Sequence, residues 1–208
     1  MQIQDNAFGL VLFDLDGTLV DTAPDMVDTL QAMQRDHDYE PVDYDLGRAN
    51  VSNGAMGLLR VGFPDIDEDA RALLIGEYVE RYAERICERT RVFDGLEILL
   101  DQLDAIECPW GVVTNKPRHL TDPLLQELGL ASRIICAISG DTLAVRKPEP
   151  EPILLGCDIA GIAPERAIYV GDASRDIQAG MRAGSATIAA AYGYITEDDD
   201  PREWGADI

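Results

Sequence analysis

Two carboxylates stand two residues apart in Asp14-Leu15-Asp16-Gly17-Thr18, directly after the almost wholly apolar run Gly9 to Phe13. Like charges that close are costly unless a cation lies between them or one carboxylate holds a proton. By average residue usage, a D-x-D-G-T match arises by chance in on the order of one chain in a thousand of this length. The plainer reading is a turn, in which Asp and Gly end a strand. Three further groups make chemistry the better reading. Thr114-Asn115 ends the run WGVVT, where a hydroxyl and exposed backbone N–H groups can bind phosphoryl oxygens. Lys147, in Arg146-Lys147-Pro148, is either a solvated loop charge or a fixed cation set against transition-state charge. Gly171-Asp172 ends the run AIYV, with Asp176 four residues on. Either Asp172 or Ser174 caps a helix there, or Asp172 is a metal carboxylate supported by Asp176. Mg²⁺ suits such a group, because it takes oxygen ligands and needs few carboxylates beside a substrate phosphate.

These residues need a frame that brings them together. GLVLF, WGVVT, IICAI (Ile134 to Ile138), AIYV and ATIAAA (Ala186 to Ala191) are short apolar runs of the kind buried on both faces of a parallel sheet. Helical patterns lie between them. Leu96, Leu99, Leu100, Leu103 and Ile106 share one face, as do Leu120, Leu124, Leu125 and Leu128, with Gly129 as a stop. Pro152 to Ala160 and Asp176 to Ala183 give two more helices, the second ended by Gly184. The alternation predicts an α/β fold, a doubly wound parallel Rossmann-like sheet. In such a sheet ligands bind beyond the carboxyl ends of the strands, where all four groups stand.

The stretch from Thr22 to Thr90 breaks the rhythm, with no strand-like run. Thr22-Ala23-Pro24-Asp25 reads as a capping box with Pro in the first turn. Met26, Leu30 and Met33 follow at helical spacing, and Ala70, Leu73, Leu74, Tyr78, Tyr82 and Ile86 suggest a second long helix. The expected organisation is an α/β core from residues 1–20 and 91–208, with a small α-helical cap, 21–90, inserted after the first strand.

Bulk properties narrow the partners. The chain has 208 residues and a formal net charge of −22, which repels nucleic acid and argues against DNA or RNA. It also repels anionic substrates at long range, so a phosphate site must be locally positive or carry a metal. Salt adaptation or solubility is the plain account of the acidity. Cys87, Cys108, Cys136 and Cys157 lack C-x-x-C spacing and sit in apolar runs, as free thiols of a reducing, cytoplasmic protein do. Met1 to Phe8 has no basic start, no stretch could span a bilayer, and neither a signal peptide nor a membrane partner is expected. A monomer or weak dimer is expected.

Taken in order, Asp14-Leu15-Asp16-Gly17-Thr18, Thr114, Lys147 and Gly171-Asp172 with Asp176 resemble the four motifs of the haloacid dehalogenase-like superfamily. The helical insert resembles the small cap of its phosphoglycolate phosphatase-like branch. Asp21-Thr22-Ala23-Pro24-Asp25, WGVVTNKP, and Tyr192-Gly193-Tyr194-Ile195 followed by Trp204-Gly205-Ala206-Asp207 are closest to N-acetylmuramic acid 6-phosphate phosphatases. Phosphoglycolate phosphatases share the first string and most of the second. Relatives usually add a last strand and helix beyond the position of Ile208, so the final sheet edge is expected to be poorly covered.

The resemblance implies a Mg²⁺-dependent phosphomonoester hydrolase acting on a small phosphorylated metabolite. Asp14 would be the nucleophile and Asp16 the acid–base group. Thr114, Asn115 and Lys147 would bind phosphate. Asp14, Asp16 (through its carbonyl) and Asp172 would hold the metal, with Asp176 in support. Substrate choice would lie in RANVSNGA, at Arg48, Ser52 and Gly54, a stretch that also reads as a surface loop with a helix cap. A phosphate-receiver domain, a phosphosugar mutase of the same fold and a non-catalytic relative are the alternatives.

Overall fold

The computed structural model describes residues 8–208. The expectations placed on Met1–Ala7 therefore lie outside the described residues. In chain order the elements are β1 (Leu10–Phe13), β2 (Val20–Asp21), α1 (Ala23–Asp36), α2 (Tyr44–Ala49), α3 (Gly54–Gly62), α4 (Glu68–Ala83), β3 (Arg91–Val92), α5 (Leu96–Ala105), β4 (Trp110–Val113), α6 (Arg118–Glu127), β5 (Ala137–Ile138), α7 (Glu151–Ala160), β6 (Ala167–Gly171), α8 (Ser174–Ala183) and β7 (Ala186–Ala189). Among the described residues the main sheet runs β5-β4-β1-β6-β7, parallel throughout.

The expected doubly wound sheet is present, and β1 is its centre. The chain winds to one side through β4 and β5, then to the other through β6 and β7, so the carboxyl ends of β1, β4 and β6 flank the switch point. Alternation along β1 serves two cores. Leu10 and Leu12 pack with Tyr169, Ile153 and Cys157, while Phe13 packs with Trp110, Val112 and Leu124. Each large apolar side chain so buried contributes about 1.5–3 kcal/mol.

The structure trims several expected elements. The run IICAI gives only two strand residues, because Ile135 turns outward at 43% exposure. ATIAAA ends at Ala189, where the Ala190 N–H turns to the Gly171 carbonyl. On α5 only Leu100 and Leu103 are buried, and Leu99 and Ile106 are exposed. Leu73, placed on the apolar face of α4, is 84% exposed, since Tyr78 and Tyr82 define the face that packs. No capping box forms at α1. Thr22 has helical φ/ψ and its hydroxyl donates to Asp16, while the Asp25 carboxylate accepts from the N–H groups of Arg89 and Thr90.

Helices α1 to α4 leave and rejoin the sheet through a two-stranded antiparallel ribbon, β2 against β3, which periodicity had not suggested. The final edge is better covered than expected. Asp207 accepts from the Thr187 N–H and hydroxyl, and the Ile208 carbonyl accepts from the Ala189 N–H. Those contacts occupy ladder positions that a bare edge would expose.

Candidate active site

The ends of β1, β4 and β6 deliver Asp14, Thr114 and Asp172 to one crevice. The Asp14 N–H donates to Val170 O at 2.9 Å, and the Thr114 N–H to Ile138 O at 2.8 Å, so the sheet ladder fixes both backbones. Asp14, Asp172 and Asp176 are all buried, and each offers a carboxylate oxygen within 4.8 Å of the others. Lys147 lies among them, its Nζ 2.8 Å from Asp14 Oδ1 and 2.7 Å from Asp176 Oδ1. Those contacts are buried, charge-assisted ion pairs, and the ammonium is the only partner that either oxygen has among the described residues. The Lys147 ammonium also donates to the Tyr169 hydroxyl at 2.8 Å, which donates to Val113 O at 2.7 Å.

One ammonium among three buried carboxylates leaves the crevice short of positive charge. Burial pulls the Lys147 ammonium down, but the Asp14 and Asp176 carboxylates outweigh it and hold it above its usual value. Burial also pushes the Asp172 carboxyl up, to about 7, with help from the negative Asp14 and Asp176. Three buried carboxylates within 4.8 Å of one another, with excess negative charge, have the donor set of an oxygen-ligand divalent cation.

Asp172 is approached from several elements. Its Oδ1 accepts from the Thr18 hydroxyl at 3.2 Å, and its Oδ2 from the Tyr194 N–H at 2.9 Å. Gly17 makes this packing possible. Its φ is +84°, and a Cβ there would collide with the Asp172 carboxylate and the Tyr194 ring.

The remaining candidates divide. The Asn115 side chain clips the loop before α7, donating to Lys147 O at 3.0 Å and accepting from Lys147 N at 3.1 Å. Its backbone N–H stands beside Thr114, whose hydroxyl accepts from Lys116 N. The Asp16 carboxylate lies outside the three-carboxylate group, with Oδ1 accepting from the Thr22 hydroxyl at 2.7 Å and Lys116 Nζ at 2.9 Å. Ser52 reaches the crevice from the helical insertion and donates to Asp172 Oδ2 at 2.6 Å, while its carbonyl accepts from Arg175. Arg48 is held aside, paired with Asp21 at 2.7 Å and stacked 4.8 Å over the Tyr194 ring. Gly54, at φ +69°, opens α3 with nothing within 4 Å of an added Cβ.

Sequence reasoning missed Lys116, Tyr82, Tyr169 and Tyr194. Tyr194 had a signal in the string Tyr192 to Ile195, and Lys116 one in the lysine that follows Thr114-Asn115. Tyr169 carried none, because a tyrosine in an apolar strand reads as core.

The chain is similar to known proteins along nearly its whole length. The profile of the haloacid dehalogenase-like hydrolase family matches residues 11–190. A phosphoglycolate phosphatase of Xanthomonas campestris is 43% identical over 198 residues, 95% of this chain and 90% of that one. An N-acetylmuramic acid 6-phosphate phosphatase of Pseudomonas aeruginosa is 42% identical over 199 residues, 95% of this chain and 88% of that one. The crystal structure of a predicted phosphoglycolate phosphatase from Haemophilus somnus superposes with a TM-score of 0.85 at 28% identity, covering 97% of this chain and 92% of that one. No helix among the described residues is long and apolar enough to cross a membrane.

Proposed function

The chain belongs to the haloacid dehalogenase-like hydrolase family and is a phosphatase, and from that premise we propose that it works through an aspartyl-phosphate on Asp14. One observation carries the reading. Asp14 and Asp172, from strands far apart in sequence, offer oxygens within 4.8 Å, with Lys147 against Asp14. An Asp14 oxygen bonds to phosphorus as the ester P–O bond breaks, and the leaving oxygen takes a proton from Asp16. Water then attacks phosphorus, giving its proton to the Asp16 carboxylate. Inorganic phosphate leaves and Asp14 is restored. Thr114, the Asn115 N–H and Lys147 bind the phosphoryl oxygens, each such fixed donor being worth roughly 3 kcal/mol.

Mg²⁺ would be held by Asp14, the Asp16 carbonyl and Asp172, with Asp176 behind. When bound it offsets the repulsion between the anionic nucleophile and the anionic phosphate. The Asp172 carboxyl gives this reading a pH signature. Its folded pKa of about 7 exceeds the roughly 3.9 of a free aspartate, so the folded protein keeps a proton that the unfolded chain releases. In the metal-free protein this costs stability progressively from about pH 4 to pH 7, on the order of 3–4 kcal/mol in full. Mg²⁺ then raises the melting temperature by roughly 5–10 °C at pH 8 and by under about 2 °C at pH 5, read by calorimetry. Equal shifts at the two pH values would count against these ligands.

For substrate we propose N-acetylmuramic acid 6-phosphate. 2-Phosphoglycolate is the second reading, favoured by relatives of that name at the same level of identity. Residues 21–90 would act as the cap over a core of 1–20 and 91–208, with Arg48, Ser52 and Gly54 setting the choice. Arg48→Ala is expected to change the relative kcat/KM of these two substrates and hexose 6-phosphates by about tenfold. An unchanged ranking would remove Arg48 from the specificity set. The protein would act in the cytoplasm as a monomer or weak dimer. A screen of these substrates with Mg²⁺, scored by released inorganic phosphate, tests the proposal. A mutase would rearrange a sugar phosphate and release none.

A further inference from the structure

The chain has two lysines, Lys116 and Lys147, against fifteen arginines. Both lysines are buried, and each rests on one member of the Asp14–Asp16 pair, Lys147 on Asp14 and Lys116 on Asp16. Fifteen of the chain's seventeen side-chain cations are guanidinium groups. A compact ammonium persists at the two places where a planar fork would need more room and paired acceptors. Lys147 is accounted for by the phosphate. Lys116 is not.

The Lys116 side chain is 4% exposed and its ammonium has a built seat. Nζ donates to the Tyr82 hydroxyl at 3.1 Å and sits 4.6 Å over the centre of that ring. Tyr82 is buried and comes from α4, in the helical insertion. From this seat Nζ donates to Asp16 Oδ1 at 2.9 Å, and the Thr22 hydroxyl donates to the same oxygen at 2.7 Å. Among the described residues Asp16 Oδ2 receives no hydrogen bond. The ammonium, which can only donate, engages Oδ1, so a carboxyl proton belongs on Oδ2.

We propose that Lys116, seated on Tyr82, is a positioning residue for Asp16, holding Oδ1 so that Oδ2 delivers the proton to the departing ester oxygen. The proposal rests on the reading of Asp16 as the proton-transfer group. It makes α4 a contributor to the chemical step.

Proton delivery matters in proportion to the basicity of the leaving oxygen. The test compares kcat and KM of Lys116→Met on phenyl phosphate and on 4-nitrophenyl phosphate, with Mg²⁺ present. The expected result is a kcat on phenyl phosphate lowered about tenfold or more beyond any loss on 4-nitrophenyl phosphate, with KM little changed. Lys116→Arg should not restore the ratio. Should Lys116→Met fail to fold, Tyr82→Phe, which removes the hydroxyl seat, is expected to widen the ratio in the same sense by a smaller factor. Equal losses on both esters would make Lys116 merely structural and overturn the proposal. Asp16→Asn separates the two readings. If it widens the ratio and the Lys116 and Tyr82 variants do not, only the positioning role falls; if it leaves the ratio unchanged, the role of Asp16 falls first.

Discussion

Asparagine at position 14 is expected to stop turnover and leave the fold in place. The carboxamide fills the same volume at the end of β1, and the backbone there is held by the ladder bond to Val170. What is lost is the anionic oxygen proposed to bond to phosphorus. Without it the reaction is left with donors that bind a phosphate nothing attacks. Loss of a nucleophile lowers kcat by at least about 10⁴-fold. Stability should not suffer in the metal-free protein, because Asp14 is one of three mutually repelling buried carboxylates and helps to hold the Asp172 carboxyl up. Phosphate release and circular dichroism on Asp14→Asn check both halves. Near wild-type hydrolysis would end the aspartyl-phosphate reading.

Lys147→Met should damage both activity and stability. Methionine keeps most of the stem and removes the charge. Asp14 Oδ1 and Asp176 Oδ1 would then face each other without the ammonium now 2.8 and 2.7 Å away, in a site with almost no solvent. Removing one partner of a buried ion pair costs about 3–5 kcal/mol, because the remaining charge has no compensation. That cost should be largest near pH 8 in the metal-free protein. It should shrink toward pH 5, where the raised Asp172 carboxyl takes up a proton. Activity should fall by roughly 10²–10³-fold, the usual loss of one fixed donor. Denaturant melts at the two pH values read the first effect and kcat the second. A variant equally stable at both, or fully active, would show that Lys147 is a bystander.

Much of the frame was legible because a parallel sheet buried on both faces needs runs such as GLVLF and AIYV, and those runs end on the candidate site residues. Asp14, Thr114 and Asp172 could be read together for the same reason, since strand ends converge by topology. Other residues gave no such signal. Leu73 has the right period for a packed face but points to solvent, because α4 packs through its tyrosines. Thr22 looks like a helix cap and instead reaches back to Asp16. Ser52 on Asp172 joins positions 120 residues apart, a contact set by how the insertion folds back and not by any local pattern. Lys116 lies inside the string WGVVTNKP, where nothing local shows that Tyr82 would lie beneath it.

The ribbon of β2 and β3 has a mechanical consequence. All the covalent traffic between sheet and helical insertion passes through two adjacent crossings, which are hydrogen-bonded with Val20 opposite Val92 and Asp21 opposite Arg91. Paired crossings cannot swivel independently, so the cap proposed above would swing about one shared axle. Under the proposed cap reading, unseating Ser52 from Asp172, moving Tyr82 beneath Lys116 and opening a path for the ester would become one coordinate, and a single rotation would set how often the crevice exchanges its contents.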